Sequence, residues 1–326
     1  MDLIKLELLM LRTPVIICLF AAATVSTSVH AVQRTHVSAT IGADTNTATG
    51  CTAAAPCRNF QAAMKVTDPN GEVVVLDSGS YGGANITQSV SLIAPSGVFA
   101  GISVPANSTG VLIHQAGINV VLRGITIKGQ ANSERGILMT AGSKLTVENC
   151  EISNLFSGIS VVGPVTVRIT DTIVRGNVIA GIQLNDGTRS TVTRTTVADN
   201  GSFGIATELG SFQNAITTTD IADSTITKNG VAGVTAISRS VNVAASAVKV
   251  TVRNSSVAGN ETGLLANANT AAAVSLSASN NIISSNTFGI SAVGANANVL
   301  ASDNLINDNG TGFKTQGAIF KSASTM

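Results

Sequence analysis

The chain has no tryptophan, a single tyrosine (Tyr81), and charged residues at only 11% of its 326 positions. Each shortage excludes something. Aromatics at 3% leave few flat platforms on which sugar rings could stack. A net charge of +1, with basic residues not interleaved with aromatics, removes the electrostatic footprint expected of a nucleic-acid or acidic-membrane binder. The three histidines (His30, His36, His114) are scattered, so no His-based metal set can be read from spacing, and no metal site is expected. There is no Asp-Asp pair, and Leu-x-x-Leu-x-Leu does not recur along the chain as the ladder of a leucine-rich repeat requires. Ala, Thr, Ser, Asn, Val, Ile and Gly fill the space left. That mixture favours β-branched strands with Gly/Asn corners and argues against a helical bundle.

The stretch Asp171–Gly181 (DTIVRGNVIAG) recurs. With Val174 as reference, an Asp lies three residues before, Asn177 three after, and Gly181-Ile182 follows. The frame returns at Arg194/Val197/Asn200/Gly204, Asp223/Ile226/Asn229/Gly233, Asn254/Val257/Asn260/Gly263, Asn280/Ile283/Asn286/Gly289 and Asp303/Ile306/Asn309/Gly312. Asn149/Ile152/Gly158 fits with one residue missing, and Gly124/Ile127 more loosely. From Gly136 to Gly312 the glycines are spaced by 22 to 30 residues. Such a period with no helical spacing inside it specifies a solenoid, and its length suits a three-sided right-handed coil with loops of varying length.

Within one repeat, positions seven and five before the reference are mostly apolar (Val167 and Ile169, Val250 and Val252), and those between point the other way. The corner three before the reference carries Gly124, Asn149, Asp171, Arg194, Asp223, Asn254, Asn280 and Asp303. Gly, Asn and Asp tolerate the left-handed backbone of a sharp turn. An inward column of small polar residues follows (Cys150, Thr172, Thr195, Ser224, Ser255, Asn281, Asn304), then a second corner of Asn177, Asn200, Asn229, Asn260, Asn286 and Asn309. Coils stacked about 4.8 Å apart allow like side chains to hydrogen-bond along the stack. Cys150, in the inward column, is expected to be a buried free thiol. The two longest steps place loop residues at Gly210–Thr217 and Ala236–Ala247.

Residues 1–31 read as a secretory signal: Lys5 and Arg12 supply charge, Val15–Val25 a short apolar core, and Val29-His30-Ala31 a small-x-small cleavage site, with Met10 an alternative start. About 20 apolar residues are needed to span a bilayer, more than this core holds, so no membrane insertion is expected once the signal is removed. Residues 32–68 are expected to hold an edge strand (Thr35–Thr40), a loop closed by a Cys51–Cys57 disulfide, and a capping helix (Pro56–Val66) with Phe60, Ala63 and Met64 on one face. Asp68–Gly71 (DPNG) reads as a turn, and strands then follow from Val73 onward, so that 69–326 form the solenoid.

The run from Asn59 to Ala94 (NFQAAMKVTDPNGEVVVLDSGSYGGANITQSVSLIA) resembles the entry segment of exported right-handed parallel β-helix proteins of the pectate-lyase-like superfamily. In that segment a capping helix leads into a strand, a Gly-x-Tyr turn and a second strand. The resemblance continues through the repeats to about Gly312. It implies an all-β right-handed parallel β-helix of about ten coils with a short N-terminal capping helix, and it leaves activity open among lyases, hydrolases, epimerases, adhesins and members without an assigned reaction.

Sugar-cleaving members of that superfamily work from an outward strand face. Their lyases hold Ca²⁺ with clustered acids and use an Arg or Lys base, and their hydrolases pair carboxylates. The outward positions here include Glu148, Arg168, Thr170, Thr191, Thr193, Asp220 and Arg253, a candidate binding face. On it Glu148 lies diagonally from Arg168 and Asp220 from Arg253, the spacing of two exposed ion pairs. The corner triplet Asp171, Arg194, Asp223 places an Arg between two carboxylates. It is the catalytic candidate, and a charge ladder is the plainer expectation. The Thr/Ser-rich face could also order water or ice. Phe99, Phe156, Phe203, Phe212 and Phe288 are expected to pack or anchor loops. The expectation is a secreted, periplasmic or surface module without catalysis or cofactor, contacting polysaccharide and no nucleic acid. The alternative is a Ca²⁺-assisted acidic-polysaccharide lyase or epimerase.

Overall fold

The computed structural model describes residues 32–210, 214–239 and 245–323; the expected signal segment 1–31 and Phe212 lie outside them. The chain winds as a right-handed parallel β-helix of three sheets, here called I, II and III in the order each coil visits them. Sheet I has 12 strands and sheets II and III have 10 each, so ten complete coils are described. Every coil repeats the path seen at Thr166–Thr170 (sheet I), Ile173–Arg175 (sheet II) and Ala180–Asn185 (sheet III).

Pairing is parallel and in register from coil to coil: Val147 lies beside Ile169, and Ile169 beside Val192. In-register stacking carries each apolar row straight up the interior. The reference residues Ile127, Ile152, Val174, Val197, Ile226, Val257 and Ile283 are all fully buried, as are the paired rows Val167/Ile169 and Val111/Ile113. The turns form as the sequence chemistry dictates. From the third coil on, the corner between sheets I and II is left-handed, from Gly124 (φ 71°) through Asp171 (50°), Arg194 (47°) and Asp223 (53°) to Asp303 (54°).

At that corner the backbone N–H points along the axis, and the next coil's small polar side chain takes it. Ser224 Oγ accepts from Thr195 N at 3.2 Å and donates to the carbonyl of Ala222 at 2.7 Å. Asn281 Oδ1 accepts from Ser255 N at 3.0 Å in the same way. The second corner is an asparagine ladder running unbroken from Asn177 to Asn309 through side-chain bonds of 2.8–3.0 Å.

The N-terminal end is closed by a cap. The strand Val32–Val37 pairs with Thr67–Val75, a disulfide joins Cys51 to Cys57, and the one-turn helix Phe60–Met64 buries Phe60, Ala62, Ala63 and Met64. Asn59 starts that helix by accepting the N–H of Ala62 at 2.8 Å.

Several expected boundaries move. The edge strand begins at Val32 and ends at Val37, because its partner strand begins at Thr67. The helix is confined to Phe60–Met64, since Cys57 is already bridged to Val37 and cannot turn. Asp68–Gly71 is a bulge inside a strand, not a turn between elements: pairing jumps from Val32–Thr67 to Arg34–Glu72, with Asn70 left-handed. A 3₁₀ helix, Asp44–Thr49, occupies ground read as loop. The long steps go partly into strand: Ile216–Ala222 and Ala232–Ser238 run to seven residues, so Ile216, Thr217 and Ala236–Ser238 are ladder rather than loop. Among the described residues no helix is long and apolar enough to cross a membrane.

Candidate functional site

Sheet I presents a flat outward face in which alternate residues of each strand form three rows along the axis. The first row reads Lys144, Thr166, Arg189, Thr218, Lys249; the second Thr146, Arg168, Thr191, Asp220, Thr251; the third Arg123, Glu148, Thr170, Thr193, Ala222, Arg253. All seven face residues expected from sequence lie in the second and third rows. Thr170 is nonetheless buried, and the outward surface rests on Arg168, Thr191, Asp220 and Arg253, which are exposed or nearly so.

The two expected ion pairs are not those observed. Glu148 is held by Arg123, its in-register neighbour one coil earlier, at 2.8 Å, and not by Arg168 on the diagonal. In-register side chains project side by side, whereas a diagonal partner lies farther off, so the direct neighbour wins. Among the described residues no ion pair joins Asp220 to Arg253. Removing Glu148 as a partner frees Arg168. Lys144, Arg189 and Lys249 add further cations from the first row, which sequence reasoning did not include because each strand was read one alternation too short. Lys144, Arg168 and Arg189 then sit on three consecutive coils, about 4.8 Å apart along the axis. Lys249 and Arg253 continue the cationic face two coils on, and Asp220 lies between. Among the described residues none of Lys144, Arg168, Arg189, Lys249 and Arg253 is ion-paired.

At the corner beside this face, Arg194 grips Asp171 with both arms: Nε to Oδ1 at 2.7 Å and Nη2 to Oδ2 at 2.8 Å, with Nη2 also donating to Thr170 Oγ1 at 2.9 Å. The Arg194 hydrogen bond is the main reason the Asp171 carboxyl sits below the usual carboxylate range, and Asp171 in turn raises Arg194. Asp223 adds only a longer-range attraction. The triplet therefore divides into a closed pair and a separate acid. An arginine held in this way keeps its proton, and the Asp171 charge is balanced by the guanidinium it holds. Among the described residues no three His, Cys, Asp or Glu side chains gather as a metal-binding group.

Cys150 is buried, its thiol pushed up to about 12 by burial, with Sγ 3.3 Å from the Glu148 carbonyl. Two of the phenylalanines depart from expectation. Phe288 is covered by Lys314, whose Nζ lies 4.1 Å from the ring centroid, but Phe99 and Phe156 are 54% and 48% exposed.

The sequence profile of the family described as "Right handed beta helix region" matches residues 92–248. No curated protein matches the chain in sequence. Among solved structures, it is similar to the pectate lyase Pel9A (16% identity, 90% of this chain and 78% of that one, TM-score 0.50). It is also similar to the periplasmic alginate epimerase AlgG (13%, 79% and 76%, TM-score 0.56). The A-module of the mannuronan C-5 epimerase AlgE4 of Azotobacter vinelandii is a third (11%, 78% and 89%, TM-score 0.55). At these identities the likeness is one of fold.

Proposed function

We propose that this right-handed parallel β-helix protein is an exported, non-catalytic module that holds an acidic polysaccharide along the outer face of sheet I. The observation that carries the reading is the run of unpaired cations Lys144, Arg168 and Arg189 on consecutive coils, continued by Lys249 and Arg253. A polyanion laid along the axis meets a cation at each of those three coils, at a repeat close to the length of one pyranose. Rows of Thr (Thr166, Thr191, Thr193, Thr251) supply hydroxyls between the charges. Polysaccharide chemistry in the names of the structural neighbours, a pectate lyase, an alginate epimerase and a mannuronan C-5 epimerase, agrees with this reading. Export is supported by the Cys51–Cys57 disulfide, a bond that persists in oxidising compartments. No cofactor is called for.

The Ca²⁺-assisted lyase or epimerase alternative needs clustered acids and a free base. The bidentate Asp171–Arg194 pair supplies neither. The test is to incubate the chain from Val32 onward with alginate, polygalacturonate and a neutral glucan, with and without Ca²⁺, following unsaturated products and binding together. The expected result is binding to the uronate polymers that weakens with salt and is lost when Arg168, Arg189, Lys249 and Arg253 are changed to Gln, with no products formed. Products above those of a heat-denatured control would overturn the non-catalytic reading.

A further inference from the structure

The corner between sheets II and III opens into a cleft where the asparagine ladder starts. Asn177 is the first rung, and its Oδ1 accepts the N–H of Leu155 at 3.1 Å. In the two coils before it the ladder position is held by Leu155 and Ser133, both buried, and Ser133 turns its hydroxyl back to the carbonyls of Val104 and Gln130 at 2.7 Å. The residue following the ladder position decides how the corner looks to solvent. In the next two coils it is Gly201 and Gly230; in these earlier ones it is Glu134, Phe156 and Val178, aligned by the backbone bonds Phe156 N to Ser133 O and Val178 N to Leu155 O. The result is a raised apolar step, Phe156 at 48% and Val178 at 63% exposure, beside a cleft of about 880 Å³.

The other wall is polar. Asn107, Asn132 and Asn154 are the left-handed residues of three successive coils (φ 54°, 59° and 60°), all exposed and all lining the cleft. Among the described residues none of these three carboxamides donates or accepts a side-chain hydrogen bond within the protein. They form a column of free donors and acceptors facing the same space as an exposed ring. Charge in the cleft is balanced, with Arg135 3.7 Å from Glu134. A smaller cleft of about 370 Å³ shares Asn154 and reaches Phe99, 54% exposed; Glu151 and Arg175, which also line it, close on each other at 2.6 Å.

An exposed aromatic face beside unpartnered amides, without net charge, is the chemistry that recognises sugar rings: C–H faces stack on the aromatic and hydroxyls pair with carboxamides. We propose that this cleft is a binding site for a neutral oligosaccharide, one ring stacked on Phe156 and its hydroxyls bonded to Asn132 and Asn154, with longer chains continuing toward Phe99. The site lies on a different corner from the cationic face and does not depend on it.

The test uses the whole chain from Val32 and a panel of neutral oligosaccharides (cello-, xylo-, malto- and laminari-series of increasing length) in titration calorimetry. The expected result is affinity for one series that rises with length, is insensitive to salt, and falls about tenfold in Phe156→Ala and in Asn154→Ala. Phe156→Tyr retains binding, and the four-site Gln variant of sheet I is unaffected. Because Phe156 is half exposed, circular dichroism is expected to show an unchanged fold in each variant. No binding of any neutral series by the native protein would sink the proposal. So would binding that Phe156→Ala leaves intact, or loss of neutral binding in the sheet I variant.

Discussion

Asn229 takes two hydrogen bonds from Asn200 on one oxygen: its Oδ1 accepts the Asn200 backbone N–H at 3.2 Å and the Asn200 Nδ2 at 2.8 Å. Its own Nδ2 passes the pattern on to Asn260 at 3.0 Å. Both residues are buried, so deleting one amide strands two donors of the coil before it. Asn229→Ala is expected to cost about 2–4 kcal/mol, while Asn309→Ala, at the half-exposed end of the ladder, costs about 1 kcal/mol. Chemical denaturation of the two variants side by side checks the ratio. Equal losses would mean that ladder position does not matter.

A column of glycines lies against that ladder. A Cβ on Gly204 would sit 2.5 Å from the Gly233 carbonyl oxygen and 2.8 Å from Asn229 Nδ2, and neither can withdraw without breaking a coil. At Gly312 the nearest atom to an added Cβ is a methyl of Ile306 at 3.7 Å. Gly204→Ala is therefore expected to destabilise by about 1–3 kcal/mol or more through overpacking. Gly312→Ala is expected to be neutral or mildly stabilising, since it stiffens the unfolded chain. Thermal melts that show the reverse order would contradict the close packing of this column.

The cap rests on Asp77. Its carboxylate accepts from Ser38 Oγ at 2.7 Å, Ala39 N at 2.6 Å, Thr40 N at 3.1 Å and the Tyr81 hydroxyl at 2.5 Å. Burial alone would push this carboxyl up, but those bonds, that of Tyr81 first, outweigh it and hold it well below the usual range. Tyr81 moves the opposite way, to about 12, through burial and its bond to Asp77. A depressed folded value means that the stability Asp77 contributes is fully present above its unfolded value, about pH 4, and fades as pH falls toward the folded one. Asp77→Asn is expected to lower Tm at neutral pH and to flatten the acid side of the Tm–pH curve. An unchanged acid limb in the variant would show that other carboxyls govern it.

The coil was legible because a parallel solenoid repeats one local rule. Alternation set the inward rows, the residues at Asp171 and Asn254 marked the left-handed corner, and Asn177 to Asn309 announced their own ladder. What a single coil does not encode is how neighbours meet. Glu148 could be placed on the outer face from its strand, but its bond to Arg123 depends on the register between residues 25 positions apart in the chain. The row of Lys144, Arg189 and Lys249 was hidden by one missing alternation at each strand start. Phe156 was misplaced for another reason: an apolar residue reads as packed, whereas the position after the ladder column faces solvent, as it does for Val178 in the next coil.

Arg194 remains the residue that departs furthest from the repeat, a long cationic side chain on a left-handed backbone (φ 47°) where most other coils use Asn, Asp or Gly. Asn at this position would relieve the backbone while giving up the two bonds to Asp171. Because both partners are exposed, salt and water already screen much of what the pair contributes. Arg194→Asn is therefore expected to fold normally, with a Tm close to native, and to lose the small dependence of Tm on ionic strength that the pair gives the native protein. It is also expected to leave polymer binding on sheet I intact, because Arg194 is committed to Asp171 and is not one of the free cations. Melting curves at low and high salt, run alongside uronate-polymer titrations, decide the matter. A collapse of binding with the fold preserved would move the functional centre from the open rows of sheet I to this corner.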